Sequence, residues 1–283
     1  MDFDFATPTP LEYFRTLVHS DAQFPLLEAA ISLGQDDYPD LDVQQSLAEC
    51  DKLLARLRQR LPGDAPAMHR LRLLNHYFFD ELHFAGNLNH YYDPDNSYLH
   101  RVLERRCGIP VSLAVLWLEL AQGLNLSAQG VGFPGYFLVT ARLPQGQVVI
   151  DPLSGDSLSQ NDLQTRLEAW RSHHDTAQTS DQSLAQYLQA MPEREIIARM
   201  LRNLKEIHRT QRDWQRLVAV QNRLLVLLPQ AWDEYRDRGL AQAELGQLEP
   251  AVRDLQTYLD QAARGTEAAR IAARVAELRR ALG

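Results

Sequence analysis

Residues 105–121 of this 283-residue chain read Arg-Arg-Cys-Gly-Ile-Pro-Val-Ser-Leu-Ala-Val-Leu-Trp-Leu-Glu-Leu-Ala. Pro110 suits the first position of a helix, where a missing N–H has no partner to lose and the fixed φ is already helical. From Leu113 to Ala121 only Glu119 is polar. A helix that is apolar on all sides is a buried one, so this segment is expected at the centre of a core. Gly123 and Asn125 then supply residues suited to leaving a helix. Working outward, Gln129–Phe133, Tyr136–Ala141 and Val148–Ile150 are short runs rich in β-branched and aromatic residues. They are separated by Pro134-Gly135 and by Pro144-Gln-Gly-Gln147, and read as strands with turns between them.

Helical patterns lie on both sides of this centre. Phe14, Leu17 and Val18 form one apolar stripe, and Leu26, Leu27, Ala30, Ile31 and Leu33 a second. A third helix is expected to start near Asp42, with Val43, Leu47, Cys50, Leu54 and Leu57 on its inner face. Another runs from about Met68 to Leu82. Asn87–Leu99 is dense in Asn, Asp and Tyr, residues that favour turns, caps and the walls of sites. Asn96 or Ser97 is expected to cap a short helix carrying Leu99, Val102 and Leu103. Arg171–Ser183 is polar and aperiodic and reads as a linker or surface loop. From Glu193 onward the pattern is helical throughout. Tyr235, Gly239, Gly246, Ala251, Leu255 and Tyr258 match the large and small positions of a tetratricopeptide repeat, with a degenerate copy at Leu204, Leu217 and Pro229 and a closing helix over Gly265–Gly283.

Composition narrows the possible partners. An apolar fraction of 45% can fill a core, and a formal net charge of −8 argues against nucleic acid or an anionic membrane. The longest apolar run, Val111–Leu118, includes Ser112 and is too short to span a bilayer, and the opening Met-Asp-Phe-Asp-Phe-Ala-Thr-Pro does not read as a leader. A cytoplasmic protein is expected, with no cofactor. Cys50 and Cys107 are the only cysteines, too few for a disulfide framework or a four-cysteine metal site. His76, His83 and His90 recur every seven residues, but Gly86 and Asn87 interrupt the helix before the third, so no metal site is expected. His173 and His174 are expected to be exposed.

Several motifs together resemble a family. They are Asn-Ser-Tyr-Leu at 96–99, Val-Leu-Glu-Arg-Arg at 102–106, Gly-Ile-Pro-Val-Ser-Leu at 108–113, Gly-Val-Gly-Phe-Pro-Gly-Tyr-Phe-Leu-Val at 130–139 and Ile-Asp-Pro at 150–152, with the repeats behind them. This combination resembles the bacterial SirB-type proteins, which join a transglutaminase-like core to tetratricopeptide repeats. The resemblance runs from about Phe24 to the last helix. It implies an α+β protein, with a helix-rich, papain-like core and a small antiparallel sheet over residues 1–170. A linker over 171–190 and an all-α tetratricopeptide-like domain over 191–283 would follow.

A working core of this type needs a cysteine at the N-terminus of the buried helix, a histidine on a following strand and an acid on the next. The helix dipole and imidazolium lower the thiol pKa, the histidine moves the proton, and the acid orients the ring. Matched motif by motif, the resemblance puts these three positions on Pro110, Tyr136 and Asp151. Proline offers no nucleophile, and a phenol, whose ordinary pKa is near 10, is a poor base at neutral pH. The reading is therefore a non-catalytic scaffold or regulator that binds a protein or peptide. Its surface would be the repeats or a residual groove of Asn96, Tyr98, Pro110, Tyr136 and Asp151. The competing reading is a thiol hydrolase or acyl transferase using Cys107, which lies between Arg106 and Gly108, with a histidine supplied from the Asn87–His100 loop. Ser112, one turn into the helix, has no visible base and reads as a cap or surface residue.

Overall fold

A computed structural model describes residues 8–87, 89–173, 183–262 and 264–283. The chain divides into two compact units: one of Leu26–Gly34 and Leu41–Ile196, the other of Met1–Pro25, Gln35–Asp40 and Ile197–Gly283.

The first unit is built around a helix that enters at Pro110. Its helices are α2 (Leu26–Ser32), α3 (Val43–Gln59), α4 (Ala67–Asn75), α5 (Leu99–Arg105), α6 (Pro110–Gly123), α7 (Gln160–His173) and α8 (Leu184–Tyr187). Ten residues of α6 are buried, and Trp117, fully enclosed, donates its indole N–H to the Asn75 side chain at 2.9 Å. The Gly123 carbonyl at the exit accepts two bonds from the Arg58 guanidinium, at 3.0 and 2.8 Å. Asn125 takes the left-handed conformation (φ 55°) that turns the chain away. Asp42 caps α3 by accepting from the Gln45 N–H at 3.0 Å, and Cys50 is buried on the inner face.

Two parallel two-residue strands, β1 (Ala85–Gly86) and β2 (Cys107–Gly108), pair beside the entrance to α6. The main sheet is antiparallel in the order β3 (Ser127–Val131), β4 (Leu138–Leu143), β5 (Gly146–Ile150), β6 (Ser157–Leu158). Leu143 pairs with Gly146, so the hairpin loop is only Pro144-Gln145.

Local details depart from the sequence reading. The first two strands lie about two residues away from the expected positions, because Phe133–Tyr136 closes as a turn with the Tyr136 N–H bonded to the Phe133 carbonyl at 2.8 Å. Tyr136 is therefore in a loop and not in a strand. The expected helix over Met68–Leu82 is α4 followed by a π-helical turn over His76–Glu81. The N-cap of α5 is Tyr98, with no side-chain cap, instead of Asn96 or Ser97. Arg171–His173 continues α7, while residues 174–182, including His174, lie outside the described residues.

The second unit contains α1 (Pro10–Leu17), α9 (Glu193–Gln211, from Ile197 on), α10 (Trp214–Leu227), α11 (Trp232–Glu244), α12 (Leu248–Gln261) and α13 (Gly265–Leu282). A Cβ on Gly239 would lie 2.8 Å from the Leu255 side chain and 3.1 Å from the Ala251 carbonyl, so only glycine allows α11 and α12 to cross this closely. Gly246 leaves α11 at φ 71°. Ala251, Leu255, Tyr258, Ile271, Val275 and Leu278 form the core between α12 and α13. Phe14 of α1 is fully buried under the Arg223 guanidinium, 5.0 Å from the ring centre.

Candidate functional site

The N-terminus of α6 is closed by backbone and capping groups. Pro110 occupies its first turn. Ser112 is fully buried and is a cap, the first of the two roles expected of it, and not a surface residue. Its hydroxyl donates to the Asn96 carbonyl at 2.6 Å and accepts from the Ile109 N–H at 3.1 Å. Asn96 is fully buried as well. Its amide donates to the His90 and Tyr91 carbonyls at 2.7 and 3.3 Å and its side-chain oxygen accepts from Asn87 at 3.1 Å. One asparagine thus ties the Asn87–Tyr98 loop to the start of α6. Tyr98 is 2% exposed, so neither Asn96 nor Tyr98 presents an open surface.

Asp151 lies in the turn after β5. It is 8% exposed, and one carboxylate oxygen accepts from the Leu153 N–H at 3.0 Å. The other receives the Arg166 guanidinium of α7 at 2.8 Å. The same guanidinium lies 4.8 Å from the centre of the Tyr136 ring. Arg166 therefore joins Tyr136 and Asp151, the two residues to which the resemblance would give the base and acid positions, and the sequence reading missed it. The turn is tied back to the entrance of α6: the Gly86 N–H bonds the Leu153 carbonyl at 3.2 Å, and Gly86 pairs with Gly108, two residues before Pro110. Around Tyr136 the protein packs its own side chains, with Leu184, Tyr187 and Leu188 joining Phe133 and Leu167 in one cluster.

Cys107 is half-buried on β2. The arginines before it point elsewhere. Arg105 pairs with Asp93 at 2.9 Å and Asp95 at 3.1 Å, and Arg106 lies over the Phe84 ring at 4.7 Å. Burial pushes the Cys50 thiol up to about 12. His76 pairs with Asp80 at 2.9 Å, His83 has left-handed backbone (φ 57°), and among the described residues no group of three His, Cys, Asp or Glu side chains is placed to hold a metal ion. His100 is 9% exposed, and burial lowers its pKa.

The second unit contains a cavity of about 720 Å³ lined by α9, α10 and α11, including Lys205, Arg209, Arg212, Trp214, Arg236 and Asp237. Burial pushes the Lys205 ammonium down, but hydrogen bonds to Asp237 and Glu234, both at 2.7 Å, outweigh it and leave the pKa raised.

Residues 44–202 match the model of the transglutaminase-like superfamily, and residues 204–276 match a tetratricopeptide repeat model. The chain belongs to the transglutaminase-like superfamily, with tetratricopeptide repeats following the core. Within that class it belongs with the bacterial UPF0162 proteins. It is 37% identical to the UPF0162 protein of Xylella fastidiosa strain Temecula1 over 240 residues, 84% of each chain. It is 28% identical to that of Vibrio cholerae over 83% of this chain and 85% of the relative, and 26% identical to UPF0162 protein YchA of Escherichia coli K12 over 80% and 81%. A shorter stretch of 69 residues, 24% of this chain and 11% of the relative, is 42% identical to mouse F-box only protein 21. No solved structure matches. No helix among the described residues is long and apolar enough to cross a membrane.

Proposed function

We propose that this chain is a non-catalytic member of its family that works in the cytoplasm as a protein- or peptide-binding scaffold or regulator. Pro110 and Tyr136 stand where an active relative would carry cysteine and histidine, and the SirB-type kinship suggested by the motifs is part of the proposal. The observation that carries it is the bond between Asp151 and Arg166. A triad needs that carboxylate to orient an imidazole, whereas here it pairs with a guanidinium lying on Tyr136. The neighbouring helix start offers proline and a capped serine.

The partner surface belongs on the repeat helices. Asn96 and Tyr98 are buried and Tyr136 is packed among Leu184 and Tyr187, which leaves little of the expected groove open. The α9–α11 cavity is large enough for side chains of a docked segment, and stacked helical repeats use such concave faces for binding.

One experiment with two arms tests this. In the first, iodoacetamide alkylation of Cys107 is followed from pH 5 to 9 in the native protein, with buried Cys50 as internal control. The rate at pH 6 is expected to stay within about tenfold of glutathione, and a larger excess would revive the thiol-enzyme reading. In the second, a photo-crosslinker replaces Arg212 in the full chain. A discrete adduct that is lost when Trp214 is changed to Glu is expected, and its absence would remove the repeat face as the docking surface.

A further inference from the structure

Three cations gather around one small pocket of the core unit. Lys52 and Arg56 lie on an exposed face of α3, Arg106 closes the other side, and Leu53 and Leu103 form apolar wall between them, around a cavity of about 230 Å³. Glu49 is the one carboxylate in the lining. Among the described residues Lys52 and Arg56 make no hydrogen bond or ion pair.

Arg106 is held in place by its backbone and by an aromatic ring. It ends α5 in left-handed backbone (φ 59°), its N–H bonded to the Val102 carbonyl at 2.9 Å and its own carbonyl accepting from Ala85 at 3.0 Å. An arginine in that conformation is uncommon. One face of its guanidinium lies on Phe84, which is itself stacked on Phe78 at 4.3 Å. The guanidinium makes no hydrogen bond to the described residues, and its Nη1 is sealed from solvent without a partner. A buried donor left in this state is costly; burial works against its charge, Glu49 nearby offsets part of that, and Arg56 adds repulsion.

We propose that this pocket binds a phosphate-type oxyanion, the phosphate group of a small phosphorylated metabolite, between Arg106 and the Lys52–Arg56 face of α3. Three cations against one carboxylate suit a group carrying close to two negative charges. With Nη1 sealed, the Nε–Nη2 edge of the guanidinium offers the fork of donors that matches phosphate oxygens two at a time. The volume admits the phosphate and a few further atoms, below what a peptide or nucleotide fills. Because Arg106 directly precedes β2 and α6, an anion here fastens α3 to the entrance of the central helix.

The test is calorimetric titration of the full chain in phosphate-free buffer with inorganic phosphate and, separately, with glycerol 3-phosphate, at fixed ionic strength against a chloride control. One saturable site with Kd near 1 mM or tighter is expected. The Lys52→Gln/Arg56→Gln variant, whose changes lie on exposed helix surface, is expected to weaken it by about tenfold or more, and Arg106→Gln to abolish it. Tighter binding of the monoester supports a metabolite. Equal or weaker binding of the monoester overturns the metabolite in favour of free phosphate. No saturable heat above chloride, or binding unchanged in the Lys52→Gln/Arg56→Gln variant, overturns the site itself.

Discussion

The two units enclose their interiors by different means. Around α6 the buried surface is almost wholly apolar, and the polar groups it contains are matched by Ser112, Asn96 and Arg58 at its ends and by Asn75 at Trp117 in its middle. In the repeat unit, charges go inside. Lys205 is held between Glu234 and Asp237, Arg238 grips Asp254 with two bonds at 2.6 and 2.8 Å, and Arg223, 1% exposed, reaches Asp36 at 2.6 Å. Apolar packing tolerates salt and pH, whereas a buried ion pair is worth keeping only while both partners remain charged. The contrast teaches that the central helix of the core unit is held by apolar packing, whereas the repeat unit adds buried ion pairs to its apolar core.

Hydrogen exchange, which reads each unit separately, offers ways to break that contrast. The largest expected effect is in the core unit. Trp117→Ala removes a fully buried indole and its bond to Asn75, and should lower the opening free energy of α6 amides by about 4 kcal/mol, independently of salt. A loss below about 1 kcal/mol would mean that α6 is not packed as described. Next comes Lys205→Met, which leaves two carboxylates facing a methionine and should cost the α9–α11 amides about 3 kcal/mol. Adding Glu234→Gln and Asp237→Asn should recover most of it. Failure to recover would show that the lysine stem, and not its charge, does the holding.

The smallest effect sharpens the comparison through pH. Burial lowers the pKa of His208 in the repeat unit, against the pull of Asp37 and Asp213 and with Arg216 adding to the shift. It does the same to His100 in the core, where Glu104 and Asp95 oppose and Arg101 reinforces. Each imidazole is therefore harder to protonate in the folded unit than in the unfolded chain, which takes up its proton as pH falls through about 6.5. Both units should lose stability between pH 7 and 5 from this source. His208→Gln should flatten the dependence of the α9 amides and leave that of the α6 amides unchanged. A slope unchanged in both would assign the acid sensitivity to the carboxylates instead.

Local signals made much of the fold legible. Pro110 and the apolar run to Ala121 define α6, Asp42 starts α3, and Gly239 with Ala251 and Leu255 marks the helix crossing, because each of these acts within a few residues. The turn at Pro134-Gly135 was legible, but its extent was not, since Tyr136 and Phe137 look like strand residues until the Gly135 backbone (φ 74°) and the Tyr136–Phe133 bond are seen. Nor was the grouping of α1 with the C-terminal helices, which depends on Arg223 meeting Phe14 and Asp36, both far away in the chain. At the candidate site Pro110, Tyr136 and Asp151 were singled out only by the family resemblance. Arg166 was not, because an arginine on a polar helix looks solvated until α7 is laid against the turn after β5.

The order of the main sheet has a consequence for how the protein behaves at high concentration. Both outer strands of an open sheet offer unpaired backbone groups to other chains. Here β6 is two residues long, too short to serve as a template, and β3 has its Gly130 carbonyl taken by the Met191 N–H at 2.8 Å. The methionine side chain lies where a Cβ on Gly132 would stand, 2.2 Å from its methyl carbon. A side chain at residue 132 would have to move that methyl aside, and a bulky one crowds the strap that covers this edge, so the first property to suffer would be the resistance of the chain to aggregation.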